Sequence, residues 1–481
     1  MQQVGGPRTE STTPRFWTSA WAIVAVLALA TMLRLLNVTH WSLWEDEETS
    51  LAFSQNLDKW FPSHLPFFFH TLSGLFQVTG VSVAAGRILS AMIGVFDVWL
   101  LYVCVRKFVS REVALVAMIL MTINLGHLFW SQSIRYYTTV LAFELLSIYW
   151  FLDGFERGNY WALLLSNLAL AAALFTHHSA ILLAPVFVGY LALTICRREN
   201  CGAYNVRGYL LFGISFAVVV GLFAGNMLSM RQYLTDMSGD LLSVYTPVHI
   251  LITIAAYFGL PLVALGLLAP LAAREVPTRI LLFFLVVAVV PVMELLVLAQ
   301  LRLGAVTWYY GFVALAGFAT LAAMSLVSLY RSGSRRVATV LGSAAVVYYG
   351  VFLLGYYTTM HGDRPRWKEA TAALRQALGP DRTKGHAPEI YATVPGVVAH
   401  YLGVDPADTM GNVLVKGLPK QPSAQEPSVD QWYVVKQRGM SDEYARWLDA
   451  HCELKDRFEA RTGPVDRSVL LYFRPGRRPT A

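Results

Sequence analysis

The stretch FWTSAWAIVAVLALATMLRLLNVTHWSLWEDEE, residues 16–48, decides how the rest of the chain is read. It begins with an apolar run of about 20 residues, enough for a helix to cross the hydrocarbon core of a bilayer. No small-residue cleavage site follows, so the run reads as a retained first membrane helix rather than a signal peptide. It ends in Trp44-Glu45-Asp46-Glu47-Glu48, four carboxylates in a row just beyond the span. Acidic side chains this close to hydrocarbon are costly and are kept for function; the alternative reading is an acidic loop lying in water.

Composition points the same way. Of 481 residues, 56% are hydrophobic and 14% charged, too apolar a balance for an ordinary soluble protein. A formal charge of +7 invites nucleic acid as a partner, but the Lys and Arg are scattered through short loops between apolar segments, the pattern that sets membrane topology. No nucleic-acid partner is therefore expected. Cys104, Cys196, Cys201 and Cys452 show neither zinc-ligand spacing nor an evident pairing.

A hydropathy window of membrane length gives eleven spans, near residues 16–36, 84–105, 111–130, 135–153, 159–176, 179–196, 207–229, 248–271, 279–300, 308–329 and 336–357. Threaded alternately, they gather Arg106, Lys107, Arg111, Arg197, Arg198 and Arg331 on one side. Excess positive charge marks that side as cytoplasmic, so Asp46 faces outward. Residues 1–357 read as a transmembrane catalytic domain, mainly α, with a first outer loop, 37–83, whose mix of aromatic and helix-breaking residues suits short interfacial helices. From residue 358 to 481 the composition turns polar and reads as a small extracytoplasmic α/β domain. Within it, 367–378 has amphipathic helix periodicity, and 389–394, 433–436 and 468–473 read as strands.

Moving a sugar from a phosphate leaving group to a hydroxyl requires a base, cationic or hydrogen-bonding groups on the phosphate, and a sugar pocket. Adjacent residues on a helix point about 100° apart, so of Asp46 and Glu47 one is read as the base and the other as a positioner. Arg87, Arg135 and Arg302 lie at the outward ends of spans, and guanidinium forks match phosphate oxygens in pairs; a lone arginine there is equally an interfacial anchor. Tyr136 and Tyr137 follow Arg135, with Thr138 and Thr139 one turn on, and line a substrate site or join the aromatic belt. His64 and His178 read as hydrogen-bonding residues near substrate rather than metal ligands, because no histidine pair has the spacing of a zinc helix. No metal-ligand set is identified, and whether a divalent cation assists stays open. Asp97, Glu144 and Glu294, inside spans, read as hydrogen-bonding residues of the bundle interior.

Taken in chain order, these pieces resemble the bacterial GT-C superfamily, which contains protein O-mannosyltransferases and the lipid A aminoarabinose transferase (glycosyltransferase family 39-like proteins). Leu43-Trp44-Glu45-Asp46-Glu47 is similar to the family's Asp-Glu motif after the first span, with Asp46 in the place of the base. His64-Leu65-Pro66-Phe67-Phe68-Phe69 and Gly86-Arg87-Ile88-Leu89-Ser90-Ala91 resemble two further segments, each lacking a proline. Ser131-Gln132-Ser133-Ile134-Arg135-Tyr136-Tyr137 resembles the motif at the fourth span, with Ser133 where a Glu often stands. Thr176-His177-His178 and Trp308-Tyr309-Tyr310, with Tyr310 a candidate substrate contact, resemble later motifs, and Pro365-Arg366-Trp367 the start of the outer domain.

The resemblance implies an inverting glycosyltransferase that takes its sugar from a polyprenyl-phosphate donor. The acceptor is a hydroxyl of an envelope glycan, lipid or protein, with no nucleotide sugar. It implies a bacterial inner membrane with the active site on the periplasmic face and membrane lipids as neighbours. The rival is a transporter or lipid-sugar flippase, which would carry paired broken helices near mid-membrane and internal symmetry.

Overall fold

A computed structural model describes residues 20–60, 67–198, 202–229, 246–302, 306–379, 388–404, 415–420, 422–423, 425–438, 440–462 and 465–477. The helices begin with α1 (Ala20–Leu35), α2 (Glu45–Gln55), α3 (Leu57–Trp60), α4 (Phe67–Thr79), α5 (Val83–Phe108), α6 (Arg111–Thr122) and α7 (Leu125–Ser131). They continue with α8 (Tyr137–Arg157), α9 (Tyr160–Thr176), α10 (Leu183–Cys196), α11 (Val206–Ser229), α12 (Pro247–Ile254), α13 (Leu260–Ala272) and α14 (Thr278–Gln300). The last of the apolar helices are α15 (Val313–Arg331) and α16 (Arg335–Thr358).

Against eleven expected spans, eight helical stretches among the described residues have membrane length and apolarity, or nine if α6 and α7, bent by 64°, form one. Two more of the expected segments, α1 and α9, are apolar but shorter, at 16 and 17 residues. The chain is an integral membrane protein with a mainly helical fold and a small C-terminal sheet.

The residues pack into two compact units. The first comprises Met1–Arg34, Met92–Leu128 and Tyr137–Tyr349. At its centre is α15, 89% buried, whereas the membrane-length windows of α11 and α16 are only 17% buried and turn apolar side chains such as Val218, Leu222 and Val340 outward. Such all-round apolarity suits lipid on one side and protein on the other. Small residues let α15 approach its neighbours: a Cβ added at Gly317 would sit 2.7 Å from the backbone nitrogen of Ala288 on α14. Ser325 Oγ donates to Leu265 O of α13 at 2.7 Å.

Where α6 breaks into α7, the freed backbone groups need other partners. Asn124 supplies some, donating from Nδ2 to Phe258 O at 2.8 Å and accepting at Oδ1 from His127 N at 3.1 Å. Arg34 Nη2 lies 2.7 Å from His127 Nδ1, so Nδ1 accepts and Nε2 carries the hydrogen. Asp97 Oδ2 lies 3.3 Å from Nε2. Arg34, His127 and Asp97 are fully buried, and the hydrogen-bonding role expected for Asp97 is not seen, since neither of its carboxylate oxygens makes a hydrogen bond among the described residues.

The second unit comprises Leu35–Ala91, Phe129–Tyr136 and Gly350–Ala481. It joins the segment between α1 and α5, with α2 to α4, to the chain after α16. There the structure adds α17 (Trp367–Leu378), β1 (Glu389–Ala392), α18 (Pro395–Leu402), β2 (Val415–Gly417), β3 (Gln431–Lys436) and α19 (Asp442–His451). The chain closes with β4 (Glu453–Phe458), the short pair β5 (Arg461–Thr462) and β6 (Val465–Asp466), and β7 (Val469–Arg474). The main sheet has order β2-β1-β3-β7-β4, with β1 parallel to β2 and β3, and β7 antiparallel to β3 and β4. Alternation along the strands makes two faces. Tyr433, Val435, Leu470 and Tyr472 form one core with Tyr444 and Leu448 of α19. α17 packs along β7 and β4, burying Trp367, Ala370 and Leu374.

The close approach at Gly317 is testable. Gly317→Ala is expected to lower the unfolding temperature of the detergent-solubilised protein, at a cost of about 1–3 kcal/mol for overpacking. Gly221→Ala, on a face of α11 where an added Cβ meets nothing within 4 Å, is expected to be neutral or to stabilise by up to about 1 kcal/mol.

Candidate active site

Helix α2 starts directly on the acidic run, with Trp44 as its extended N-cap residue and Glu45, Asp46, Glu47 and Glu48 in its first turn. Four carboxylates there complement the positive end of the helix dipole. The helical turn sends them in different directions, and all their described surroundings belong to the second unit. Glu45 forms an ion pair with Lys436 at the end of β3. Asp46 faces Arg135, Oδ2 to Nη2, at 3.8 Å. Glu47 turns inward to Arg87 and Arg364. Glu48 lies against Gly396 in the first turn of α18, where an added Cβ would overlap its carboxyl group.

The Glu47 cluster is fully buried. Arg87 donates from Nε to Glu47 Oε1 at 2.8 Å and from Nη2 to Oε2 at 2.5 Å. Its remaining donors reach the carbonyls of Val38 at 2.8 Å, Trp41 at 3.0 Å and Ser42 at 2.9 Å. Five N–H groups meet five acceptors, which leaves no fork for a phosphate. The expectation for Arg87 is corrected accordingly: it ties the segment before α2 to the head of α5. Glu47, expected as a positioner of substrate, is likewise occupied within the protein. It also accepts from the backbone N–H of Ile134 at 3.0 Å, and Arg364 Nε lies 3.9 Å away. Burial alone would raise the pKa of Glu47, but the charge and hydrogen bonds of Arg87, with Arg364 and the Ile134 N–H, hold it below the ordinary value.

Arg364 was not singled out from sequence. It donates from Nη2 to Gln132 O and Ser133 Oγ, each at 2.7 Å, and from Nη1 to Gly362 O at 2.7 Å. Tyr356 OH donates to Gln132 Oε1 at 2.8 Å, and Gln132 Nε2 to Leu36 O at 2.9 Å. Ser133, at the position where the resemblance has a Glu, here accepts from Arg364. The nearest sequence signal was the Pro365-Arg366-Trp367 stretch that follows it; Lys436 had none.

Arg135 sits outside α8, because the turn closed by Arg135 N to Ser133 O at 2.7 Å delays the helix until Tyr137. The expected helical face shared with Thr138 and Thr139 is therefore not formed. Instead Nη1 of Arg135 donates to Asp46 O at 3.2 Å and Ser50 Oγ at 3.3 Å, and Nη2 donates to Tyr136 OH at 2.8 Å. Its guanidinium lies 4.5 Å from the centroid of the Tyr136 ring, and that ring meets Phe68 and Phe69 edge-on. The Asp46 side chain remains 35% exposed. Desolvation raises its pKa above the ordinary carboxylate value and Glu45 adds to the rise, while Arg135 and Lys436 oppose it. For Glu45, burial is outweighed by Lys436, and the net shift is downward.

The remaining candidates fall elsewhere. Tyr137, His178 and Tyr310 belong to an aromatic cluster of the first unit: Tyr137 meets His177 at 5.5 Å and Tyr309 at 4.8 Å, and His178 meets Tyr310 at 5.4 Å between ring centroids. Arg302 is exposed, in a left-handed turn (φ 52°) after α14. His64 lies outside the described residues. Among the described residues no group of three or more His, Cys, Asp or Glu is placed to hold a metal ion.

The fold has relatives of known structure. The chain is similar to ArnT from Cupriavidus metallidurans bound to undecaprenyl phosphate, at 12% identity and TM-score 0.57, covering 95% of this chain and 98% of that one. It is also similar to the Archaeoglobus fulgidus oligosaccharyltransferase in complex with Zn and sulfate, at 14% identity and TM-score 0.54, covering 84% of this chain and 63% of that one. A further match is the oligosaccharyltransferase AglB of Archaeoglobus fulgidus in complex with an inhibitory peptide and a dolichol-phosphate, at 14% identity and TM-score 0.50, covering 87% and 66%. This chain thus spans less than two thirds of the length of the archaeal enzyme. A search of curated proteins returns no significant match.

The chain shares the fold of these structural relatives, a GT-C fold. Within that class, residues 63–223 match the dolichyl-phosphate-mannose-protein mannosyltransferase family.

Removing one partner of the buried cluster leaves an uncompensated charge. Arg87→Met and Glu47→Gln are each expected to cost about 3–5 kcal/mol of stability, read as a large fall in unfolding temperature of the solubilised protein. The sign for Glu47 follows from its lowered pKa: its stabilisation is complete above the unfolded-state value and is lost as pH falls through the folded-state value. The wild-type unfolding temperature is therefore expected to drop on acidification, and by less in Glu47→Gln.

Proposed function

We propose that the chain is an inverting glycosyltransferase that moves a sugar from a polyprenyl-phosphate donor to a hydroxyl of an envelope acceptor, with Asp46 as the base. The observation that carries this reading is the Asp46–Arg135 pair. It combines a partly exposed carboxylate of raised pKa with a guanidinium on the outward-facing loop of a GT-C fold. The undecaprenyl phosphate bound to ArnT and the dolichol-phosphate bound to AglB support a lipid-phosphate donor.

In the proposed reaction the acceptor oxygen attacks the anomeric carbon while its proton passes to Asp46. The carbon–oxygen bond to the phosphate breaks, and its electron pair leaves with the polyprenyl phosphate. Arg135 stabilises the charge that grows on that leaving group. Glu47, Arg87 and Arg364 hold the frame. Tyr136 orients Arg135. Residues 1–357 form the catalytic membrane domain and 358–481 an extracytoplasmic module. The setting is a bacterial inner membrane, with chemistry on its periplasmic face and an envelope glycan, lipid or protein as acceptor.

The test is transfer from a panel of radiolabelled polyprenyl-phosphate sugars to envelope fractions by purified, reconstituted protein. Asp46→Asn is expected to lower turnover by at least about a hundredfold while donor lipid still binds; substantial residual turnover would refute the assignment. Because the base works only when ionised and its pKa is raised, turnover is expected to fall with decreasing pH at a higher pH than an ordinary aspartate would give. Arg135→Ala is expected to weaken donor binding and turnover, and unchanged donor affinity and turnover would remove it from the site.

A further inference from the structure

The C-terminal module meets the acidic helix with one particular edge. β1 and β3 are parallel neighbours, and their carboxyl ends lie together: Lys436 N donates to Thr393 Oγ1 at 2.9 Å and Thr393 N to Val434 O at 3.2 Å. In open α/β sheets this is the edge where ligands gather. Here the first turn of α2 occupies it. Glu45 pairs with Lys436, and Glu48 lies on Gly396 at the start of α18. The segment before α2 is held by the same module, through Leu43 N to Tyr401 OH at 2.5 Å and Lys368 N to Ser42 Oγ at 3.2 Å. The Lys436 side chain is only 16% exposed, so its charge is delivered to α2 rather than to solvent.

We propose that Lys436 is a positioning residue for sugar transfer: by holding Glu45 it fixes the turn of α2 that carries Asp46, which makes the C-terminal module a working part of the active site. This rests on the assignment of Asp46 as the base. The physical reason is competition. Glu45 and Asp46 are chain neighbours, and Arg135 is the cation facing Asp46 from the membrane domain's fourth motif. With Lys436 removed, Glu45 is a partly desolvated carboxylate whose remaining cation is Arg467; turning toward it, or toward Arg135, shifts the first turn of α2 and disturbs the Asp46–Arg135 pair. With Lys436 present, each acid has its own cation and the turn has one arrangement.

The experiment uses the full-length reconstituted protein and compares wild type, Lys436→Met, Lys436→Arg and the double variant Glu45→Gln/Lys436→Met. Lys436→Met is expected to lower kcat about tenfold, as misplacement of a catalytic group does, with the donor KM changed by less than about twofold. Lys436→Arg is expected to recover most of the rate. The double variant is expected to be more active than Lys436→Met alone, because the competing carboxylate has gone. Hydrogen exchange of residues 45–55 is expected to quicken in Lys436→Met and to return toward wild type in Lys436→Arg. Unchanged kcat in Lys436→Met, or a loss that neither Lys436→Arg nor the double variant relieves, overturns the role. The two failures are separable: no transfer by the wild-type protein overturns the proposed reaction and this role with it, whereas wild-type transfer with unaltered Lys436→Met kinetics overturns this role alone.

Discussion

Glu47 sits between two buried guanidiniums, and the arrangement around it depends on that placement. Moving three charges out of water costs several kcal/mol per ion, recovered only where geometry and remaining hydrogen bonds are nearly complete. Arg87 meets the condition with five acceptors for five donors, and Arg364 engages Gln132, Ser133 and Gly362. A lysine, with three donors on a flexible stem, would not span the three carbonyls and the carboxylate that Arg87 joins. The cluster thereby ties the loop before α2, the head of α5, the turn before α8 and the chain after α16. It also fixes α2 about its own axis. Once Glu47 is anchored inward, the helical turn gives Asp46 and Glu45 directions of their own, one toward Arg135 and the other toward Lys436.

Two neighbouring acids thus acquire opposite properties from their surroundings. Glu47 has strong, close cations and a lowered pKa, so it stays ionised as a fixed element of the frame. Asp46 is desolvated against a cation at 3.8 Å, beyond hydrogen-bonding reach, and its pKa is raised. Environments that push the pKa values of adjacent carboxylates apart separate a structural acid from one suited to proton transfer. Glu45 is partly exposed, but its pairing with Lys436 lowers its pKa, which makes it a weaker proton acceptor than its neighbour.

Much of the fold was legible because it rests on local periodicity. Apolar runs located the membrane helices, and the amphipathic pattern of 367–378 is α17 to the residue. The strand expected at 468–473 is β7, from Val469 to Arg474. Asp46 was legible as an acidic residue just beyond a span. Partners were not. Lys436 lies 391 residues from Glu45 and Arg364 lies 231 from Ser133, and no spacing rule reaches across such distances. Arg87 looked like a phosphate ligand because sequence shows donors without showing the carbonyls that occupy them. Arg135 looked helical because a turn of three residues leaves no mark in hydropathy.

The same distances explain why the site needs several parts of the chain. α2 has little apolar character to bury, with Leu51 its one buried large apolar side chain, and a first turn of four like charges repels itself. A helix of that composition would not keep one orientation alone. Its position has to come from cations on other segments: Arg87 from the head of α5, Arg364 from the chain between α16 and α17, Lys436 from the sheet. Each takes up one consequence of packing acids together, and the 3.8 Å separation at Arg135 leaves Asp46 the least tightly held of the three paired acids. An acidic run that would be unstable by itself becomes a helix in which Asp46 alone combines a raised pKa with a facing guanidinium, whereas Glu48, raised by burial, lies against Gly396.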